Sequence, residues 1–315
     1  MKQTLSVGAL SALPGKKAQG LVPVPGTGFE IPVTIINGAD DGPVVGIVSG
    51  LHGSEYTCIE TTIRLGDELT PEKVKGAVVI VHPANVTGFF KRLEYVVPED
   101  GKNLNRVFPG DPKGTMSEKL AYFLTEEVIR KSTAFIDLHG GDIHEDLQNY
   151  ALYAANGSDE VTRISKGAAE CTGLRLICAS AQQGHSMYEA AANGAPGVLI
   201  EMGGKGLWND EEVEQFCAKI RNVLKYFGAL PGEAQKYACV FVENKTSFAA
   251  KHTGCWYPCI KPAQIVKKGQ KIGEVRDLFG NLLSEYFAEK DGDVIFVLSA
   301  LSVKEGAGIA LMADI

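Results

Sequence analysis

The sequence predicts an α/β domain followed by a small all-β domain, and three observations support this prediction. Short apolar runs alternate with segments of helical periodicity as far as residue 227, which is typical of a sheet covered by helices. Several of these runs are bounded by glycine, as expected for central strands. From about residue 236, short strands and turns replace the helical period, which indicates a sandwich or barrel. We therefore divide the chain into residues 1–232 and 233–315.

Within the first domain, predicted strands and helices follow one another along the chain. The clearest helix is 209–227, where an asparagine that can cap the helix precedes three acidic residues that interact favourably with its N-terminus. The predicted strands are residues 28–36, 43–49, 77–82, 133–138, 174–178 and 198–200. The other predicted helices are residues 57–69, 116–130, 158–171 and 185–193.

Charge and cysteine content exclude several classes of protein. The 315 residues carry a formal net charge of -7 and no basic stripe, which argues against a nucleic-acid partner. Seven cysteines without a disulfide-like framework favour a reducing cytoplasm. No apolar run approaches the ~20 residues of a spanning helix, and the N-terminus lacks the apolar core of a signal peptide. We expect a cytoplasmic protein without membrane contact. The sequence leaves open whether the protein forms a homo-oligomer.

Reactive side chains follow the ends of three separate apolar runs. His52 comes in the turn GLHGSEY after residues 43–49, His139 ends the run TAFIDLH, and Glu201 follows Val-Leu-Ile. In open α/β sheets, active sites collect at the carboxyl ends of the strands. We therefore expect these three residues to converge.

The residue types at these strand ends predict a metal site. His52 and Glu55 supply two ligands from one turn, and His139 supplies a third from another strand, which is the number that a catalytic zinc uses. Asp137 shares a strand face with His139 and is placed to accept its free ring N–H. The prediction is one Zn²⁺ per chain.

The remaining candidates predict metal-assisted hydrolysis of an amide. Glu201 is the candidate general base for a water molecule. Arg92 is a candidate for stabilising the oxyanion. Arg106, with Asn105 beside it, is suited to bind a substrate carboxylate. For Cys58 we predict a packing role.

Four motifs in order, HGSE, NLNRVFPG, DLHGG and IEMGG, resemble the succinylglutamate desuccinylase/aspartoacylase family of the zinc carboxypeptidase superfamily. The resemblance covers roughly residues 28–228. It implies a mixed central sheet with helices on both faces, and a zinc-dependent reaction. The aspartate that precedes Leu-Asn-Arg in true aspartoacylases is Asn103 here, which argues against acyl-aspartate and acyl-glutamate substrates. Carried over by motif, the zinc ligands are His52, Glu55 and His139, the substrate-carboxylate pair is Asn105 and Arg106, and the general base is Glu201.

The sequence therefore predicts a zinc-dependent amidohydrolase that removes the acyl group from a small N-acyl amino acid or related amine. The alternative is a metallocarboxypeptidase that acts on short peptides, and a non-catalytic binding module is a third interpretation. We interpret the β-rich C-terminal domain as a cap that narrows the entrance. The acidic loop after DLHGG favours a cationic group and hence an N-acetylated diamino acid. Its titratable residues are Asp142, His144, Glu145 and Asp146.

Overall fold

The structure, a computed structural model, describes residues 2–315. Its strands are β1 (Leu5–Val7), β2 (Leu10–Ala12), β3 (Lys16–Pro23), β4 (Glu30–Asn37), β5 (Val44–Ser49), β6 (Ala77–Pro83), β7 (Ala134–His139), β8 (Glu145–Leu147), β9 (Tyr150–Ala154), β10 (Leu176–Ser180), β11 (Gly197–Glu201), β12 (Val240–Val242), β13 (Lys245–Ala249), β14 (Gly254–Pro258), β15 (Ile265–Val266), β16 (Lys271–Arg276), β17 (Leu282–Phe287), β18 (Gly292–Leu298), β19 (Ser302–Val303) and β20 (Gly308–Asp314). Its helices are α1 (Tyr56–Glu68), α2 (Val86–Lys91), α3 (Met116–Leu124), α4 (Asp159–Glu170), α5 (Ser186–Ala192) and α6 (Asp210–Tyr226), with a 3₁₀ turn at Leu104–Arg106 and a π-helical turn at Thr125–Ile129.

A mixed sheet forms the centre of the molecule. Within residues 2–315, nine strands pair in the order β12-β10-β9-β11-β7-β5-β6-β4-β3. The neighbours β11, β7, β5 and β6 run parallel, whereas β9 and β4 run antiparallel to β11 and β6. The predicted mixed sheet is confirmed.

Helices cover both faces of this sheet, because the buried strands are apolar on both sides. In β6, Val78 and Ile80 pack into one core with α1, α4 and α6, whereas Val79 and Val81 pack into a second core with α3. This is the period of two expected for a strand. The continuous apolar run of β6 is therefore explained by burial on both faces.

The helices differ from the predictions mainly at their ends. The segment 116–130 is α3 followed by the π-helical turn. Helix α6 begins as predicted, since the Asn209 side chain accepts a hydrogen bond from the Glu212 N–H at 2.9 Å. Helical and strand periods did not reveal the N-terminal strands β1–β3, the short helix α2 or the strands β8 and β9.

The C-terminal strands β13–β20 form two further antiparallel sheets around a core that contains Trp256, Val275 and Val294. Strand β8 joins one of these sheets by pairing with β18. The segment ACVFVEN, which we assigned to the small domain, instead contributes β12 to the edge of the central sheet beside β10. Strand pairing thus crosses residue 232 in both directions, and the division into residues 1–232 and 233–315 stays a prediction.

Among residues 2–315, no helix is both long enough and apolar enough to cross a membrane.

Candidate active site

The predicted metal ligands and the predicted base lie at one edge of the central sheet. Strands β5, β7 and β11 are adjacent and parallel, so their carboxyl ends meet there. His139 ends β7, Glu201 ends β11, and the two residues are paired in register. His52 and Glu55 come in the turn between β5 and α1. The structure therefore brings together the residues that the strand ends predicted.

The turn after β5 packs tightly against α2. A Cβ atom on Gly53 would lie 2.3 Å from the Phe89 nitrogen, so only glycine allows this approach of the two backbones. The Ser54 hydroxyl donates to the carboxylate of Asp142, which is buried. These contacts hold the turn against the loop that follows β7.

Glu55 lies between two imidazole rings. His52 Nδ1 lies 2.6 Å from Glu55 Oε1, and His139 Nδ1 lies 3.1 Å from Glu55 Oε2. Ligand atoms of the three residues all lie within 4.8 Å of one another. Glu55 Oε2 is buried and accepts no hydrogen bond from residues 2–315. A cation placed among these atoms would satisfy that oxygen.

The outer nitrogens of the two rings face oxygen atoms. His52 Nε2 lies 3.1 Å from Asn103 Oδ1, and His139 Nε2 lies 3.2 Å from Asp137 Oδ1. With the proton on each Nε2, each Nδ1 presents its lone pair toward Glu55. Two neutral imidazoles and one carboxylate are a ligand set that fits zinc.

The electrostatic environment of the site favours the charged forms of Glu55 and His139. Burial by itself raises the pKa of Glu55, but the attraction of His52 and His139 outweighs it and lowers this pKa to about 2. Burial lowers the pKa of His139, but Asp137 and Glu55 together raise it well above its usual range. A histidine ligand must be neutral, so a cation that binds here displaces a proton from the ring.

The site opens into a cavity of about 430 Å³. Its polar lining residues are His52, Glu55, Asn103, Arg106, Glu145 and Glu201. Its apolar and aromatic lining residues are Tyr95, Leu147, Tyr150, Ile295, Phe296 and Leu311, beside the backbone of Gly140.

Glu201 lines this cavity next to His139. Burial raises the pKa of its carboxyl well above the usual range, and His139 opposes this only in part. A carboxyl group with a raised pKa is suited to exchange protons with a substrate or a water molecule.

Arg106 and Asn105 have different positions. Arg106 lines the cavity, donates to the Asn105 carbonyl at 2.8 Å and is exposed. Burial lowers its pKa, while Glu201 raises it. Asn105 is 2% exposed and lies behind the metal ligands, where its Nδ2 is 3.1 Å from His139 Nε2. Its side chain therefore contacts a predicted ligand and does not line the cavity.

Arg92 is not brought to the cavity. It follows α2 in a left-handed conformation, with φ of 56°, and lines a separate groove with Tyr56, Phe89 and Trp208. Its proposed role at the oxyanion thus receives no support from its position. Cys58 is buried, and burial raises the pKa of its thiol well above the usual range, as suits a packing residue.

The four titratable residues of the acidic loop have separate environments. Asp142 is buried and accepts the Tyr95 N–H at 2.9 Å, and burial raises its pKa to about 7. His144 lies 3.3 Å from Glu94, and Asp146 lies 3.2 Å from Lys205. Of these four residues, all within the described range 2–315, Glu145 is the one that lines the cavity.

Several cavity residues were missed by sequence reasoning. Tyr95 and Tyr150 carry no motif signal, and neither do Ile295, Phe296 and Leu311, which come from the C-terminal strands. For Asn103, the position before Leu-Asn-Arg was a usable signal, because a carboxamide there can accept from a ligand histidine.

The chain is similar to a known protein family and to a named relative. A family model, the succinylglutamate desuccinylase/aspartoacylase catalytic domain, matches residues 41–227, more than half of the chain. The chain belongs to this family. A protein of Halomonas elongata named N-alpha-acetyl-L-2,4-diaminobutyric acid deacetylase is 29% identical over 295 residues, which are 90% of this chain and 86% of that protein.

Crystal structures of two proteins named for the succinylglutamate desuccinylase/aspartoacylase family share the fold. One, from Rhodobacter sphaeroides, has a TM-score of 0.83 at 26% identity and covers 95% of this chain and 94% of that chain. A succinylglutamate desuccinylase from a Silicibacter species has a TM-score of 0.87 at 22% identity and covers 100% of this chain and 99% of that chain. The predicted family, the fold class and the assignment as a hydrolase of linear amide bonds are confirmed.

Proposed function

We propose that the protein is a zinc-dependent deacylase that hydrolyses the amide bond of a small N-acyl amino acid, with an N-acetylated diamino acid as its preferred substrate. The observation that carries this proposal is a single cavity in which a His₂Glu set, a buried glutamate, one arginine and a further acidic residue converge.

His52, Glu55 and His139 would hold the zinc ion. Zinc bound there would supply Lewis acidity toward the amide carbonyl and toward water. Asn103 Oδ1 and Asp137 Oδ1 lie beside the outer nitrogens of the two rings, whose Nδ1 atoms face Glu55. The protein thus orients the ligands before any cation arrives.

Glu201 would act as the general base. It takes a proton from the attacking water and delivers it to the nitrogen of the leaving amine. Burial raises the pKa of Glu201 well above its usual range, and a carboxyl group with a raised pKa can hold the proton taken from water and then return it to the amine.

Arg106 would bind the carboxylate of the amino acid with two parallel hydrogen bonds. Among residues 2–315, it is the one Lys or Arg that lines the cavity, which also holds three glutamates. A substrate with two carboxylates, such as acetylaspartate, would find one cationic partner for two anions. This balance supports a substrate with one carboxylate.

Glu145 would bind a second amino group of the substrate. Its Oε2 accepts the Asp142 N–H at 3.0 Å, which aligns the carboxylate within the cavity wall. An ammonium group is the partner that offsets a carboxylate held in this way. The name of the Halomonas elongata relative, a deacetylase of an acetylated diamino acid, agrees with this chemistry.

The C-terminal strands would receive the acyl group. Ile295, Phe296 and Leu311 pack with Tyr150 into one apolar cluster, and all four line the cavity. An uncharged acetyl group suits such a wall, whereas a succinyl carboxylate would lose hydration without a partner. These contacts support the predicted role of the C-terminal segment as a cap.

Metal analysis combined with four substrates tests the proposal. The substrates are N-alpha-acetyl-2,4-diaminobutyrate, the matched N-acetyl-2-aminobutyrate that lacks the second amine, N-acetylaspartate and a blocked dipeptide. We expect one zinc per chain and the highest kcat/KM for the diamino compound. Hydrolysis of the dipeptide alone would instead establish a carboxypeptidase. Turnover of N-acetylaspartate equal to that of the diamino compound would contradict the role of Glu145.

A further inference from the structure

Two side chains contact the outer nitrogen of His139 from behind the cavity. Asp137 Oδ1 lies 3.2 Å and Asn105 Nδ2 lies 3.1 Å from His139 Nε2. Asp137 is 0% exposed and Asn105 is 2% exposed. Water therefore cannot replace either contact without rearrangement of the core.

Both of these side chains are held by one residue, Ser186. The Ser186 hydroxyl donates to Asp137 Oδ2, and the Ser186 N–H donates to Asn105 Oδ1 at 2.9 Å. Ser186 is the first residue of α5 and is 0% exposed. Neither the motifs of the sequence nor the cavity lining includes it.

We propose that Ser186 is a positioning residue of the metal site, which acts through Asp137 and Asn105 on the orientation of His139. This inference rests on the zinc site of the proposed function. It adds a residue that contacts neither the ligand set nor the cavity.

The chemistry depends on where the His139 proton lies. Nδ1 faces Glu55 at 3.1 Å and binds a cation only through its lone pair, so the proton must be on Nε2. Asp137 Oδ1 lies 3.2 Å from Nε2 and has no hydrogen-bond partner among residues 2–315, so it is free to accept from an Nε2–H group. The hydroxyl of Ser186 holds the other carboxylate oxygen, so the carboxylate cannot rotate away from the ring.

The amide of Asn105 is fixed by the same residue. Because Asn105 Oδ1 accepts the Ser186 N–H, its Nδ2 must point toward the ring. Asn105 in this orientation directs its amide group at Nε2, and Asp137 Oδ1 is the oxygen that lies within reach of the same nitrogen. Ser186 thereby fixes the positions of both neighbours of His139.

Replacement of Ser186 by alanine removes the hydroxyl and leaves the backbone N–H, so it isolates the effect through Asp137. We expect the Kd for Zn²⁺ of the full chain, measured by competition with a chromophoric chelator, to rise about tenfold, the lower end of the range for partners of metal ligands. The absorption spectrum of the Co²⁺-loaded protein should also change, since it reports ligand geometry.

Ser165→Ala is the matched control. Ser165 is also 0% exposed, donates to the Val161 carbonyl at 2.7 Å and accepts from the Gly197 N–H at 3.0 Å, but contacts no residue of the site. It should lower thermal stability and leave the Kd for Zn²⁺ unchanged. Should Ser186→Ala not fold, Ser186→Cys retains the volume with a weaker donor and should give an intermediate Kd.

A double-mutant cycle separates action through Asp137 from a general structural role. Ser186→Ala should add little to the Zn²⁺ Kd of Asp137→Asn, because the shared partner is already lost. Additive effects, or a Ser186→Ala protein with the Kd of Ser165→Ala, would overturn the inference. If the unaltered chain binds Zn²⁺ and deacetylates but Ser186→Ala does not change the Kd as expected, the role of Ser186 is wrong and the proposed function stands. If the unaltered chain binds no Zn²⁺, the role of Ser186 and the proposed function are both wrong.

Discussion

Replacement of Glu201 by glutamine tests the assignment of the base most directly. Glutamine has nearly the same shape, and Glu201 is paired in register with His139 at the end of a buried strand, so the packing should be kept. The variant cannot accept the proton of the attacking water. General acid–base catalysis contributes roughly 10²–10⁴-fold, so kcat should fall by that factor, which is about 3–5 kcal/mol in the barrier.

The assay combines steady-state kinetics with metal analysis. Glu201 is outside the His52, Glu55 and His139 set, so the Glu201→Gln protein should still bind one zinc per chain. The matched control is Glu189→Gln, since Glu189 is also a buried glutamate but is not among the cavity residues. A Glu201→Gln enzyme with zinc bound and more than a tenth of the original kcat would refute the assignment.

Four further expectations follow from the structure. Arg106→Lys should lower kcat/KM about 10–100-fold in steady-state assays, because lysine cannot form two parallel hydrogen bonds to a carboxylate. Glu145→Gln should reduce the preference for acetyl-diaminobutyrate over acetyl-2-aminobutyrate about 10–100-fold, the effect of a charged hydrogen bond worth about 1.5–3 kcal/mol; an unchanged ratio would contradict the role of Glu145. Burial lowers the pKa of His82 to about 4 from 6.5, so the unfolded chain binds more protons between these values. The free energy of unfolding should therefore fall by about 3 kcal/mol as the pH falls from 6.5 to 4, and by less in His82→Gln, as measured by urea unfolding. Zinc at 100 times its Kd should raise the free energy of unfolding by about 2.7 kcal/mol, and a chelator should reverse the accompanying shift in Tm.

Within residues 2–315, the sequence by itself determined six of the nine strands of the central sheet, and it determined the core of the site. The apolar runs of β5, β7 and β11 and the helical periods between them predict parallel strands. The sequence therefore predicts His139 and Glu201 at the same edge of the sheet, whereas the direct pairing of β7 with β11 was decided by the tertiary structure. The pairing of His52 with Glu55 is local, three residues apart in one turn. These features depend on backbone period and short spacing, which a sequence displays directly.

Only the tertiary structure decided what surrounds that core. Phe296 reaches the cavity because β18 pairs with β8, two segments about 150 residues apart. Arg92 and Arg106 are both arginines near one motif, yet they line different cavities. Asn105 turns its Nδ2 toward His139 because its Oδ1 accepts the Ser186 N–H. Such outcomes depend on contacts between distant segments, and local periodicity carries no information about which distant segments pack together.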